Sequence, residues 1–274
     1  MTTLRRILAT LALLAAPLQP LAAAPVALAS PAHSHNDYRQ IHPLDTALEM
    51  GFSSIEADIW LQPDGALLVG HTAQDVVPGR SLQSLYLDPL RARIAANGGR
   101  VYAGDDRPVI LLIDLKSEGA ATYAALSAVL ATYQDVMTWW EGEVVHPGAV
   151  LPVITGNMDR VMIAREDPRR AAIDANLKDS KTISPQLTPM ASEKWGSMFH
   201  WTGEGEMPEA ELSRLREAVR MAHDADRVLR FYATPDGRGA ARDRLWTRLL
   251  DEGVDLINTD DPRGLRAFLD ARGR

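Results

Sequence analysis

The sequence contains no cysteine. That removes disulfides, a lipid-attachment cysteine, thiolate metal ligands and a thiolate nucleophile. Stability must come from a buried core, and any chemistry from oxygen and nitrogen groups. The sequence also lacks a cluster of Lys and Arg, and its formal charge is -7. An acidic chain without a basic patch is a poor nucleic-acid partner, although one local site can still bind a small anion. Beyond the N-terminal run, no segment is apolar for long enough to span a bilayer. No glycine-rich phosphate loop follows the first candidate strand, which counts against a doubly wound sheet. There is no internal repeat and no low-complexity tract.

What is present begins with an export signature. Met1 to Arg6 carries two arginines, a Leu- and Ala-rich run follows to about Leu21, and Ala22 to Ala29 is rich in small residues. A positive start, an apolar stretch and a small-x-small end read as a signal peptide over 1–29. Cleavage is expected after Ala29, with Ala24 as the alternative. Pro17 and Pro20 break the run, which opposes a retained membrane anchor. The mature chain, 30–274, loses Arg5 and Arg6, so its formal charge becomes -9. It is expected in the periplasm or secreted, with no transmembrane segment, and its length suits one large domain.

Short apolar or alternating runs recur between stretches of helical spacing. Candidate strands are Ala32 to His35, Ser54 to Leu61, Val109 to Leu115, Val150 to Thr155, Val161 to Ala164, Thr182 to Ser184, Val228 to Ala233 and Val254 to Ile257. Candidate helices include Leu44 to Met50, Leu82 to Ala96, Ala120 to Tyr133 and a segment beginning at Pro208. A further helix ends at Gly253, and a last one has Asp261 as cap and Pro262 as its first residue. Asp167 to Lys181 and Ser192 to Glu206 read as rim loops. Strands alternating with helices over this length predict an α/β fold, a single-domain TIM-type (β/α)8 barrel.

In such a barrel the chemistry collects at the C-terminal ends of the strands. His35 and Asn36 end the first candidate strand, and Glu56 and Asp58 lie near the end of the second. His71 follows the Asp64-Gly65 turn, Asp114 and Lys116 end the third strand, and Asn258 to Asp260 follow the last. Glu56 and Asp58 are two apart, so a strand points both the same way, while Ile55, Ala57 and Ile59 supply the face that packs on helices. Two carboxylates aimed together perturb each other unless a cation neutralises them. With Asn36 and Asp114 they make an all-oxygen donor set, suited to one Ca²⁺ or Mg²⁺ rather than zinc. That frees His35 and His71 for proton transfer. His33 reads as a supporting residue. Arg230 is a candidate phosphate contact or a member of a buried ion pair. Trp201, near Trp195 and Phe199, is a candidate substrate contact or ordinary loop packing.

Several motifs together carry a family resemblance. They are His35 to Tyr38, Ser54 to Leu61 (SIEADIWL), Asp64 to His71 (DGALLVGH) and Leu111 to Lys116 (LLIDLK). In this order they resemble the PLC-like phosphodiesterase superfamily, which includes glycerophosphodiester phosphodiesterases and phosphoinositide phospholipases C. Arg230 to Asp236 (RFYATPD), Asn258 to Pro262 (NTDDP) and Trp201 to Gly203 (WTG) are similar to a branch typified by altered inheritance of mitochondria protein 6. The resemblance implies a TIM barrel, a divalent cation held by Asn36, Glu56, Asp58 and Asp114, and a general acid/base pair of His35 and His71. It implies a phosphate-contacting or carboxylate-orienting role for Lys116, and a small-molecule or lipid phosphodiester as substrate. Glycerophosphodiesterases typically open with His-Arg-Gly. This chain has His35-Asn36-Asp37, closer to the eukaryotic phospholipase pattern, and it has Asp114 where many relatives have Glu.

Two other classes fit parts of the pattern. His33-Ser34-His35 matches the His-x-His pair of amidohydrolase-type barrels, with Asp260 as a late-strand carboxylate, but histidines at the middle strand ends are scarce. A barrel that lost its chemistry would serve as a binding module. The presence of both histidines and all four oxygen donors opposes that reading.

Overall fold

The computed structural model describes residues 29–273, so the signal-peptide reading falls outside the described residues except at Ala29. The described residues begin at β1 (Ala29–Ser34), and the last strand returns to it. After β1 come α1 (Asp45–Glu49), β2 (Phe52–Leu61), β3 (Leu67–Val69), α2 (Asp88–Ala96), β4 (Val109–Leu115) and α3 (Gly119–Ala131). Then follow β5 (Trp139–Glu141), β6 (Val144–His146), β7 (Val150–Gly156), α4 (Arg160–Arg165), β8 (Ala172–Ala175), β9 (Met190–Lys194) and α5 (Trp195–Met198). The chain finishes with α6 (Glu209–His223), β10 (Val228–Tyr232), α7 (Ala240–Asp251), β11 (Leu256–Thr259) and α8 (Pro262–Asp270).

Strands β1, β2, β4, β7, β8, β9, β10 and β11 pair in parallel in that order, and β11 pairs back onto β1. The sheet therefore closes into the eight-stranded TIM-type barrel expected from the sequence. β3 adds antiparallel to the end of β2 and carries the chain to His71. No helix among the described residues is long and apolar enough to cross a membrane.

Alternation along each strand divides the residues between two environments. Ile55, Ala57 and Ile59 belong to the outer core under the helices, together with Leu111, Ile113 and Ile154. Burying each of these Ile and Leu side chains contributes about 1.5–3 kcal/mol. Inside the barrel, Ile110, Leu112, Val153, Ala172, Met190 and Leu256 form a separate apolar cluster, and Trp140 packs onto it. These lower layers exclude water from the barrel. Above them, register aligns Asp58 with Asp114 and Asp114 with Thr155, so the polar residues share one upper layer.

Local chemistry sets the helix starts. Glu118 accepts from the amides of Ala120 and Ala121 ahead of α3, and Asp261 accepts from Gly264 N ahead of α8 with Pro262 at the first turn.

Two expected strands need correction. Val161 to Ala164 is helical, within α4, because Asp159 caps the amides of Val161 and Met162. Four apolar residues cannot by themselves distinguish a strand from a buried helical turn. The fifth strand is β8, in the stretch expected to be a loop, and Thr182 to Ser184 is not a strand. The sixth is β9. Both real strands are short and carry polar residues (Asp174, Ser192, Glu193) that mask their pattern.

Candidate active site

Three buried or half-buried carboxylates converge at the top of the barrel. Glu56, Asp58 and Asp114 each offer an oxygen within 4.8 Å of the others. In each, a protein donor holds one oxygen. Lys116 Nζ lies 2.6 Å from Asp114 Oδ2 and 3.1 Å from Asp58 Oδ2. Glu56 Oε2 is 3.1 Å from His33 Nε2 and accepts from Arg230 Nη1 at 3.0 Å. The opposite oxygens, Asp58 Oδ1 and Asp114 Oδ1, are buried without a hydrogen-bond partner among the described residues. Glu56 Oε1 has His35 Nε2 at 3.8 Å.

Orphaned buried oxygens are costly, and an oxygen-binding cation would satisfy them. The donors are hard oxygens, as Ca²⁺ or Mg²⁺ require. The chain also makes room for Asp114. Gly156 sits at φ +78°, and a Cβ there would fall 1.9 Å from Asp114 Oδ1.

The carboxylates differ in their electrostatic balance. Burial, then the charges of Glu56 and Asp114, push Asp58 up to about 6, against the pull of Lys116. Burial works the same way on Glu56, but the hydrogen bond from His33 and the charge of Arg230 outweigh it, so Glu56 lies well below the usual carboxylate range. Burial opposes the charge on Lys116, yet its hydrogen bond to Asp114 and the Asp58 charge raise its pKa.

The two imidazoles flank this cluster. His35 follows β1, its side chain 28 % exposed, with Nδ1 2.7 Å from Asp260 Oδ1 at the end of β11. Burial opposes protonation of His35, but the Asp260 hydrogen bond and the Glu56 charge overcome it, and its pKa is raised. His71 is more open, 44 % exposed, with Nδ1 3.2 Å from Asp58 Oδ2. Tyr38 joins the two sides. Its hydroxyl lies 2.6 Å from Asn36 Oδ1, 2.8 Å from Asp58 Oδ2 and 3.1 Å from His71 Nδ1. The single phenolic proton can go to Asn36 Oδ1 or to Asp58 Oδ2 but not to both at once, and the role of His71 Nδ1 towards the hydroxyl follows its tautomer.

Asn36 adopts the left-handed conformation, φ 48°, which Asn tolerates better than most residues. Its amide nitrogen donates to Asp260 Oδ1 at 3.1 Å, and its carbonyl accepts from Tyr38. The carbonyl is thus one hydroxyl removed from Asp58.

Arg230 is buried and forms the ion pair with Glu56. It also lines a cavity of about 410 Å³ with His35, Glu56 and Asp114. His33 is fully buried, bonded to Ser54 Oγ at 2.7 Å and facing Glu56 and Arg230. It does not join His35 in an amidohydrolase-type pair, and the one metal-capable cluster among the described residues contains no histidine. Trp201 does not line the cavity. It is buried, donates from its indole to Glu204 O at 3.0 Å, and packs in the core with Trp195 and Phe199.

The sequence gives no catalytic role to Tyr38, puts Asp260 among the strand-end groups with a role only in the rival scheme, reads Gly156 as a turn residue and leaves Asp174 unassigned. Tyr38 and Asp260 sit inside quoted motifs, so adjacency to His35 and to the closing strand was the available signal. Asp174 lay in a segment expected to be a loop.

Residues 24–174 match the AIM6-like phosphodiesterase domain. The altered inheritance of mitochondria protein 6 of Eremothecium gossypii is 31% identical over 86% of this chain and 68% of its own length. A homolog of that protein in Arthroderma benhamiae is 28% identical over 87% of this chain and 83% of its own length. Among solved structures, a glycerophosphodiester phosphodiesterase from Parabacteroides distasonis superposes with TM-score 0.52 at 15% identity, covering 89% of this chain and 98% of that one. One from Agrobacterium tumefaciens gives 0.51 at 18% identity, covering 88% and 100%. These two likenesses concern the fold. By family match and curated relatives, the chain belongs to the AIM6-like branch of the PLC-like phosphodiesterase superfamily and is an enzyme of the phosphoric diester hydrolase class.

Proposed function

We propose that the protein hydrolyses a glycerophosphodiester- or phosphoinositide-like substrate, with one Ca²⁺ or Mg²⁺ held by Glu56, Asp58, Asp114 and Asn36. The observation that carries this reading is the set of three converging carboxylates, two of them (Asp58 and Asp114) with unpartnered inner oxygens, set between two accessible imidazoles. When bound, the cation would draw charge from a non-bridging phosphate oxygen and offset the negative charge of the transition state. Lys116 keeps the Asp58 and Asp114 carboxylates in place and stands beside the same phosphate position. Arg230 holds Glu56 ionised from the barrel side.

His35 acts as base and His71 as acid. The short bond from His35 Nδ1 to Asp260 favours a proton on Nδ1, which leaves the Nε2 lone pair to accept a proton from the attacking group. That group is a neighbouring substrate hydroxyl, giving a cyclic phosphate, or water. His71 is the more exposed imidazole, suited to meet a leaving alkoxide near the mouth. Tyr38 and Asp58 orient it.

The test is turnover of glycerophosphodiesters and phosphatidylinositol with Mg²⁺ or Ca²⁺, with a chelator, and for H35A and H71A. Cation-dependent hydrolysis that both variants lose supports the reading. Hydrolysis indifferent to chelation and to both substitutions would sink it. Export belongs to the same proposal. Cell fractionation should find the protein outside the cytoplasm, and cytoplasmic retention contradicts it.

A further inference from the structure

The cavity has a second wall that the hydrolytic groups do not use. Asp174, central in β8, is only 5% exposed and lines the cavity. Its Oδ2 lies 3.7 Å from Arg230 Nη2. Its Oδ1 is buried and has no hydrogen-bond partner among the described residues. The β7–β8 register pairs Ile154 with Ile173, and one residue further along it Asp174 comes level with Thr155, the partner of Asp114. It stands two strands, about 10 Å along the wall, from Asp114. Ser192 is on the same wall, and its hydroxyl accepts from Arg230 Nε at 3.1 Å.

A carboxylate oxygen in that position accepts but cannot donate. Its partner must bring a proton. A cationic group is disfavoured there, because Arg230 already faces Asp174 and Arg160 also lines the cavity. A neutral hydroxyl satisfies Oδ1 without adding a third positive charge. Burial pushes Asp174 up to about 6, while the charge of Arg230 and a hydrogen bond from Ser192 to the carboxylate pull it down.

We propose that Asp174 is a specificity-determining residue, whose Oδ1 accepts a hydrogen bond from a hydroxyl on the alcohol portion of the diester and so selects polyol esters over plain alkyl or amine-bearing ones. This rests on the diester reading above and adds to it the residue that reads the alcohol.

The deciding experiment is calorimetric binding of glycerol 3-phosphate, propyl phosphate and phosphoethanolamine to the Mg²⁺-loaded protein, for wild type, Asp174→Asn and Asp174→Ala. Hydrogen bonds to charged groups correspond to roughly 10- to 100-fold in affinity, so wild type should prefer glycerol 3-phosphate over propyl phosphate by that factor. Asp174→Ala should reduce the preference to about threefold or less by removing the charged acceptor. The isosteric Asp174→Asn should fall between and guards against a folding defect. Three results overturn the proposal: wild type with no preference, loss of both ligands equally in Asp174→Ala, or tighter binding of phosphoethanolamine than of glycerol 3-phosphate. Turnover of a glyceryl diester, measured alongside, separates the two readings. A hydroxyl preference without hydrolysis overturns only the hydrolase reading, and hydrolysis without the preference overturns only the role of Asp174.

Discussion

Gly156→Ala perturbs the cluster without touching any of its charges. The residue sits at φ +78°, and an added Cβ would fall 1.9 Å from Asp114 Oδ1 and 2.7 Å from Leu115 O. The left-handed backbone costs a non-glycine residue about 1–2 kcal/mol, which should lower stability equally with and without metal. The contact with Oδ1 must also displace the Asp114 carboxylate, since the Leu115 carbonyl is held in the strand. At a cation concentration 100 times Kd, binding stabilises wild type by about 2.7 kcal/mol. If the displaced carboxylate weakens binding about 30-fold, the same concentration stabilises the variant by only ~0.9 kcal/mol. For a domain of this size that is a melting shift of roughly 5–10 °C in wild type against about 2–4 °C in the variant. The assay is thermal unfolding of each protein in chelator and in Mg²⁺ or Ca²⁺. A variant that keeps the full cation-induced shift refutes the placement of Asp114 Oδ1 in the cation site.

His33 is fully buried, and burial followed by the Arg230 charge lowers its pKa to about 4. A depressed histidine is neutral in the fold but protonates in the unfolded chain, so stability falls as pH drops from 6.5 towards 4. The single-group limit is about 1.4 kcal/mol per pH unit, on the order of 3 kcal/mol in all. Asp58 and Asp174, both pushed up to about 6, tilt stability the other way over the same range, so the His33 contribution is the difference between wild type and His33→Gln in urea unfolding; parallel pH dependences of the two proteins contradict the assignment. Asp260→Ala removes the acceptor at His35 Nδ1 and should forfeit much of the roughly 10²–10⁴-fold that a positioned acid–base group supplies. Cation-induced stabilisation should stay unchanged, and wild-type kcat in this variant would remove Asp260 from the mechanism.

The legibility of the molecule in its sequence followed one physical line. Where a strand alternates cleanly, as in β2, sequence gives both the element and the direction of its side chains, so Glu56 and Asp58 were placed correctly inside the barrel. Where a strand is short and carries its own polar group, as β8 does with Asp174, periodicity has too few repeats to register. The same polar group is the feature of interest, so the fold signal fails where the cavity wall is functional. The apolar run at Val161 failed in the other direction, because the deciding signal was the Asp159 cap. Contacts between chain ends were also out of reach. The Asp260 carboxylate meets His35 only because β11 closes onto β1. Tyr38 shows a further limit: its place in a motif is visible, but its link between Asn36, Asp58 and His71 depends on the turn that Asn36 makes.

In the proposed site the labour is divided: oxygens hold the cation and imidazoles move protons. The dependence of diester turnover on cation concentration, in wild type, Glu56→Gln and His71→Ala, tests it most directly. The account predicts that Glu56→Gln raises the half-saturating cation concentration by about tenfold or more. It predicts that His71→Ala leaves that concentration unchanged while the maximal rate falls by roughly 10²–10⁴. Full turnover in chelator, or a cation requirement shifted by His71→Ala and untouched by Glu56→Gln, would contradict it.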